Sequence, residues 1–251
     1  MTETTRSADG TAIAFERVGR GPVVVCVDPA GGYRRRGPMG RIAPLLADTF
    51  TVVTYDRRGR GESGDTLPYS VEREADDLAA VIAAVGGSAF VYGFSSGGLV
   101  ALHAAAAGVP IARMALLEPP LGGAGESALT GEIRALLAAG RHRDAAAHFL
   151  ASIGVPEEHR TPDEGLVAVA PTLLYDCLLA DGTPLALIGT VPAPTLVISS
   201  EGSGGPLPEW AAAIVDALPR GRFLSLPGAW HGVEDAHLAA ALRDFFGQAQ
   251  S

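Results

Sequence analysis

Apolar residues in this chain fall into short continuous runs, separated by segments with helical spacing. Val23-Val24-Val25-Cys26-Val27 is the clearest run, and five apolar residues without alternation predict a strand buried on both faces. Thr51–Tyr55, Phe90–Gly93, Ala112–Leu117, Thr195–Ser199 and Arg222–Leu226 read as further strands. Helical patterns lie between them at Ile42–Ala47, Val71–Val85, Leu99–Ala107 and Glu209–Leu218, and Val233–Phe246 closes the chain as an amphipathic helix. The Val71 segment carries acids in its first turns and ends at Gly86-Gly87, as a helix start and stop require. Thr2–Arg6 and Thr11–Val18 flank Asp9-Gly10, a hairpin signal. Strands alternating with helices predict an α/β fold, with a mostly parallel sheet covered on both faces.

The interval from about Leu121 to Thr190 breaks this rhythm. It predicts helices around Glu132–Ala139, Asp144–Ile153 and Glu164–Leu179, with Pro171 kinking the last. An insertion between two core strands is expected as a cap over the carboxyl edge of the sheet, where open α/β sheets bind ligands. The core is then 1–119 plus 191–251, and the helical cap 120–190. Phe149, Leu173, Leu174 and Tyr175 either line an apolar pocket or form the core of the cap.

Composition narrows the function. The 251 residues are 47% apolar and 19% charged, which suits a packed domain with one insertion. A net charge of −9 argues against a nucleic-acid partner. Pro110 and Arg113 interrupt the longest apolar region, so no membrane span is expected. Met1–Gly10 is polar and unlike a signal peptide, and Cys26 and Cys177 suggest neither a disulfide framework nor a zinc site. A cytoplasmic protein is the expectation. The chain has no lysine and no asparagine, which rules out a lysine Schiff base, a Ser–Lys dyad and a Cys–His–Asn triad.

The segment richest in chemical information is Gly93-Phe94-Ser95-Ser96-Gly97, between a strand and a helix. A serine between two glycines can occupy a sharp strand-to-helix turn that exposes its hydroxyl. The N–H of Ser96 then lies at a helix N-terminus, where it can stabilise an oxyanion. Six histidines compete as its base. His103 lies on the following helix, His142, His148 and His159 lie in the insertion, and His237 is on the last helix. His231 follows a strand in the loop Pro227-Gly228-Ala229-Trp230-His231-Gly232, which can deliver an imidazole to the carboxyl edge.

Four features together resemble the α/β-hydrolase superfamily. They are Val23–Val27 leading into Asp28-Pro29-Ala30-Gly31-Gly32, the stretch Tyr55-Asp56-Arg57-Arg58-Gly59-Arg60-Gly61-Glu62-Ser63, the Ser95 elbow and the His231 loop. The resemblance implies Ser95 as nucleophile, His231 as base, and the N–H groups of Ala30 and Ser96 as the oxyanion hole. It also implies structural hydrogen-bonding roles for Asp56 and Ser63. Asp28-Pro29 departs from the usual His-Gly. The triad acid usually follows the strand matching Thr195–Ser199, where Glu201 is the one carboxylate in Ser200–Gly205. The other family location is the end of the preceding core strand, where Glu118 stands. A carboxylate closing a buried strand needs a partner, so Glu118 is the expected acid and Glu201 the alternative.

Gly59-Arg60-Gly61-Glu62-Ser63-Gly64 matches a dinucleotide fingerprint in letters only, because Pro68 intervenes before the helix near Ser70. Asp144 and His148 have metal-binding spacing but no third ligand, so a surface or cap-packing pair is expected. Arg34-Arg35-Arg36 reads as a solvated run pairing with acids, or as an attractor of carboxylate-bearing substrates. Tyr33, Arg34 and Trp230 are candidate substrate contacts. The combined expectation is a serine hydrolase for a carboxylic ester, thioester or lactone of a small, partly apolar molecule, without cofactor or metal. The alternatives are a lyase or cyclase using Ser95 and His231 for proton transfer, and a ligand-binding protein.

Overall fold

Strands of the computed structural model, which describes residues 1–123 and 125–248, assemble into one eight-stranded sheet. They are β1 (Glu3–Arg6), β2 (Ala12–Gly19), β3 (Val23–Val27), β4 (Thr51–Tyr55), β5 (Ala89–Phe94), β6 (Ile111–Leu117), β7 (Thr195–Ser200) and β8 (Gly221–Leu226), in the spatial order β1-β2-β4-β3-β5-β6-β7-β8. The β1–β2 and β2–β4 pairs are antiparallel and every other pair is parallel. The expected hairpin, the strands and the α/β alternation are all present. Positions 124 and 249–251, which fall in the expected cap and core segments, lie outside the described residues.

The continuous apolar runs reflect burial on two faces. Val25 and Val27 of β3, Val91 of β5 and Leu116 of β6 point into one core with Leu78, Leu99 and Ile214 from helices 71–84, 96–106 and 207–217. Val24 and Cys26, Tyr92, and Ala115 and Leu117 point into the other with Ile42, Leu46, Leu242 and Phe246 from helices 39–46 and 235–247. Side chains alternate across the pleat, so a run with no polar residue is the signature of a doubly covered strand. No described helix is long and apolar enough to cross a membrane.

Between β6 and β7 the chain forms helices Ala128–Ala138, His142–Ser152, Glu164–Ala168, Leu173–Asp181 and Leu185–Ile188. The single kinked helix expected over Glu164–Leu179 is instead two helices separated by a 3₁₀ turn at Ala170–Thr172. Pro171 has no N–H to donate, and its ring opposes a continuing helix before it, so the chain breaks rather than bends. The insertion has its own core of Ile133, Ala146, Phe149, Leu166 and Leu173, against which Ala30 and Tyr33 pack. Leu173 is thus core, and Tyr175 stacks on Tyr69 at a ring separation of 3.8 Å.

The connection from β3 runs to β4 on one side, and the chain then crosses back to β5 on the other. This reversal opens a crevice at the carboxyl ends of β3 and β5. Pairing of Val27 with Gly93, Phe94 with Leu117, Leu117 with Ile198 and Ser200 with Leu226 aligns five strand ends along one edge. Ala30, Ser95, Glu118 and the Ser200 and His231 loops all follow these ends.

Candidate active site

Ser95 joins β5 to the helix Ser96–Ala106 with φ 53° and ψ −126°, a conformation that side chains rarely adopt. The turn is tight because β5 and this helix nearly touch. A Cβ on Gly93 would lie 2.6 Å from Gly98 Cα, and one on Gly97 would lie 2.3 Å from the Val27 carbonyl oxygen. Two other non-glycine residues among those described have positive φ, Glu118 at 44° and His231 at 51°. Such strain persists only where the surroundings impose it, and it collects at functional sites.

His231 sits at the tip of a two-residue hairpin between β9 (Gly228–Ala229) and β10 (Gly232–Val233). Its N–H donates to Ser203 Oγ at 2.9 Å, and its Nδ1 lies 2.9 Å from Glu118 Oε2. Glu118, only 1% exposed, also accepts the Ser200 N–H at 2.8 Å and the Ser199 hydroxyl at 3.1 Å through Oε1. Burial opposes its ionisation, but bonds from His231, the Ser200 N–H and Ser203 outweigh it and hold the carboxyl below its usual range. An ionised carboxylate only accepts, so Nδ1 carries the proton that faces Glu118. Glu201 is exposed in the β7 loop, where its backbone N–H donates to Leu226 O at 2.9 Å and its side chain has no partner among the described residues.

Ser95, Ser96, Ala30, Trp230 and His231 line one cavity of about 660 Å³. Its walls are mostly apolar and include Leu121, Leu129, Phe149, Ile153 and Trp210. Among the described residues, the Ser95 hydroxyl has no hydrogen-bond partner, and a nucleophile–base bond is often loose before substrate arrives. The Ser96 hydroxyl donates to Asp176 Oδ1 at 2.7 Å and is held away from nucleophilic duty.

The arginine run pairs with acids, as one expectation had it, but it is not solvated throughout. Arg34 is 4% exposed in its side chain and pairs with Asp56 at 3.0 Å and Glu62 at 2.6 Å, so it is not a solvated residue. Arg36 binds Asp163 and the Gly31 carbonyl, and Arg35 binds Glu62. Neither Tyr33 nor Arg34 is among the described residues that line the cavity, while Trp230 is. Asp56 accepts the Arg34 and Glu62 N–H groups, and Ser63 donates to the Asp56 carbonyl, so this stretch shapes a turn. Asp144 and His148 do not pair with each other. Asp144 binds Arg141 and His148 binds Glu132, and no metal-sized cluster occurs among the described residues.

Asp176 and the fully buried Arg57 and Arg60 are site residues that sequence reasoning passed over. Their available signal was an acid inside the apolar helix Leu-Leu-Tyr-Asp-Cys-Leu-Leu, which needs a buried cation to be tolerable. Asp28 is the opposite case: among the described residues, both of its carboxyl oxygens are buried without a well-formed hydrogen bond. Burial pushes it up to about 7, against the pull of Arg60, the Met39 amide and Arg57 and with a further push from Asp56. The folded state therefore holds this proton where the unfolded chain has lost it, and stability falls as pH rises from about 4 to 7. Asp28→Asn, which has no proton to lose, is expected to raise the unfolding free energy by about 1–3 kcal/mol at pH 8 and by little at pH 4. Urea unfolding at both pH values checks this, and an equal effect at the two would contradict it.

Residues 23–245 match the sequence profile of a family described as the alpha/beta hydrolase family. A solved alpha/beta hydrolase from Sphaerobacter thermophilus DSM 20745 is 41% identical, with a TM-score of 0.88 over 97% of this chain and 100% of that one. The esterase RhEst1 from Rhodococcus sp. ECU1013 shares the fold at 20% identity, with a TM-score of 0.72 over 99% of each chain. The uncharacterized hydrolase YraK of Bacillus subtilis (strain 168) is 34% identical over 102 residues, a match spanning 39% of this chain and 37% of that protein.

Proposed function

The chain belongs to the alpha/beta hydrolase family, and on that premise we propose that it hydrolyses a carboxylic ester, thioester or lactone of a small, uncharged, largely apolar substrate through an acyl-enzyme on Ser95. The observation that carries the reading is the 2.9 Å contact between Glu118 and His231 Nδ1 beside the cavity that Ser95 lines. Glu118 fixes the imidazole tautomer and stabilises the imidazolium that forms when Nε2 takes the serine proton. The Ser95 oxygen then bonds to the substrate carbonyl carbon, and the carbonyl electron pair moves to oxygen. The N–H groups of Ala30 and Ser96 hold that oxyanion. Collapse breaks the bond to the leaving alcohol or thiol, which receives the proton from His231. Water repeats the sequence on the acyl-enzyme, giving the carboxylic acid and free Ser95. The helical insertion acts as a cap, and Phe149, Leu129 and Trp230 provide an apolar wall for the acyl or leaving group.

Charge sets the substrate class. The chain has no lysine, and no arginine is among the described residues lining the cavity. Two carboxylates do line it, Asp176 and Asp181. Asp176 is neutralised by Arg57 and Arg60, whereas Asp181 Oδ2 is met by the Ser127 N–H and the Ser127 and Thr130 hydroxyls. A substrate carboxylate would find no counter-charge in this cavity. The p-nitrophenyl ester of butyric acid is therefore expected to give a kcat/KM about 10- to 100-fold above that of the matched monoester of succinic acid, from the unfavourable charge interaction. Turnover in ¹⁸O-water places one label in the product acid. Equal rates on the two esters would contradict the charge assignment, and unlabelled product would contradict hydrolysis.

A further inference from the structure

Behind the oxyanion loop lies a buried ionic cluster that joins the sheet to the insertion. Arg60, 1% exposed, donates from Nη1 to the carbonyls of Pro29 at 2.8 Å and Gly32 at 3.2 Å. Its Nε donates to Thr172 Oγ1 at 3.0 Å, and its Nη2 to Asp176 Oδ2 at 2.7 Å. Arg57 donates from Nη1 to the Asp28 carbonyl at 3.3 Å, to Ser96 Oγ at 3.2 Å and to Asp176 Oδ1 at 2.8 Å, while Glu74 takes its other edge. Asp176 thus meets both loops that supply the oxyanion donors. It reaches Ser96 directly through the hydroxyl, and the Ala30 loop through Arg60.

The Pro29 carbonyl and the Ala30 N–H belong to one peptide unit. A trans peptide is planar and points its C=O and N–H in opposite directions. Anchoring the carbonyl on a buried guanidinium therefore fixes where the N–H aims. The same contact polarises the peptide and strengthens its donor.

We propose that Asp176 and Arg60 form a positioning unit through which the helical insertion aims both oxyanion donors, the N–H groups of Ala30 and Ser96. The inference rests on the acyl-transfer reading above. Neither residue touches the reacting atoms. The insertion thereby contributes to turnover as well as to pocket shape, because Thr172 and Asp176 belong to it. Lysine at position 60 keeps the charge but lacks the planar fork needed to grip a carbonyl, a hydroxyl and a carboxylate together.

Arg60→Lys and Asp176→Asn are to be compared with wild type in kcat and KM on a neutral p-nitrophenyl ester and in thermal unfolding. Binding is measured for a trifluoromethyl ketone, which forms a tetrahedral oxyanion with the serine, and for an unreactive alcohol of the same shape. The expected result is a kcat lowered about 10- to 100-fold with KM within about twofold, as mis-aimed donors act on the transition state alone. Trifluoromethyl ketone affinity falls in the same proportion and alcohol affinity does not. Folded variants with wild-type kcat and ketone affinity would overturn the proposal. So would a parallel loss of kcat, KM and alcohol binding, which marks general collapse of the pocket. Should both variants fail to fold, Ser96→Ala removes a single hydroxyl from Asp176 and is expected to lower kcat about three- to tenfold with the same selectivity, and an unchanged kcat there would overturn it. A wild-type protein that neither turns over the ester nor binds the ketone would remove the hydrolase reading and this inference together. An active wild type with unaffected variants would remove the inference alone.

Discussion

Ser95→Ala is expected to lower kcat on a neutral ester by roughly 10⁴-fold or more, with KM and fold preserved. Losing the hydroxyl removes the covalent path, and the remaining catalysis is what oriented binding and the oxyanion donors give to attack by water. The fold is preserved because the turn is imposed by its neighbours. Ser95 N–H donates to the Leu117 carbonyl at 2.8 Å, and its carbonyl accepts the Gly98 N–H at 2.8 Å. Alanine keeps both bonds and the same backbone strain at φ 53°. Steady-state kinetics beside thermal unfolding checks the pair of outcomes. Retained turnover would move the chemistry to another nucleophile.

Glu118→Ala is expected to lower kcat by about 10³- to 10⁴-fold, and Glu118→Gln to recover little of it. A glutamine can present its NH₂ to Nδ1 and so favour the tautomer whose Nε2 carries a hydrogen and accepts no proton from Ser95. Glu201→Ala, on an exposed loop and without a side-chain bond among the described residues, is expected to change kcat less than about twofold. The lowered pKa of Glu118 also carries a stability sign. Its contribution is complete above the ordinary carboxylate range and is lost as pH falls through the lowered folded value. Acid inactivation through this group therefore belongs below the ordinary carboxylate range, and kcat measured above that range shows no acid limb from Glu118. Loss of kcat in Glu201→Ala with retention in Glu118→Ala would reverse the assignment.

How far the sequence could be read depended on whether a feature is local. The apolar runs of β3 and β5 and the glycines around Ser95 each declare a backbone geometry within a few residues. The choice of Glu118 over Glu201 used one further fact, that a carboxylate ending a buried strand needs a partner. Pro171 was legible as a disturbance, but not as a break, because its neighbours Ala170 and Thr172 are held by contacts made elsewhere in the chain. The Arg60–Asp176 pair spans 116 positions and has no local periodicity. Arg34 was read as solvated because three consecutive arginines look alike in sequence, yet the Asp56 turn selects one of them for burial and leaves Arg35 outside. Side chains that answer a charge from a distant element are fixed by tertiary packing, and composition around them is silent on which will be chosen.

On the proposed function, Ser95 is an activated nucleophile served by His231. Intact mass after incubation with a fluorophosphonate tests it most directly, with Ser95→Ala and His231→Ala alongside and a denatured sample as the baseline for unspecific labelling. The expected result is one adduct on the wild-type chain, none on Ser95→Ala and slow labelling of His231→Ala. A wild-type chain that stays unlabelled, or an adduct that survives Ser95→Ala, would contradict it.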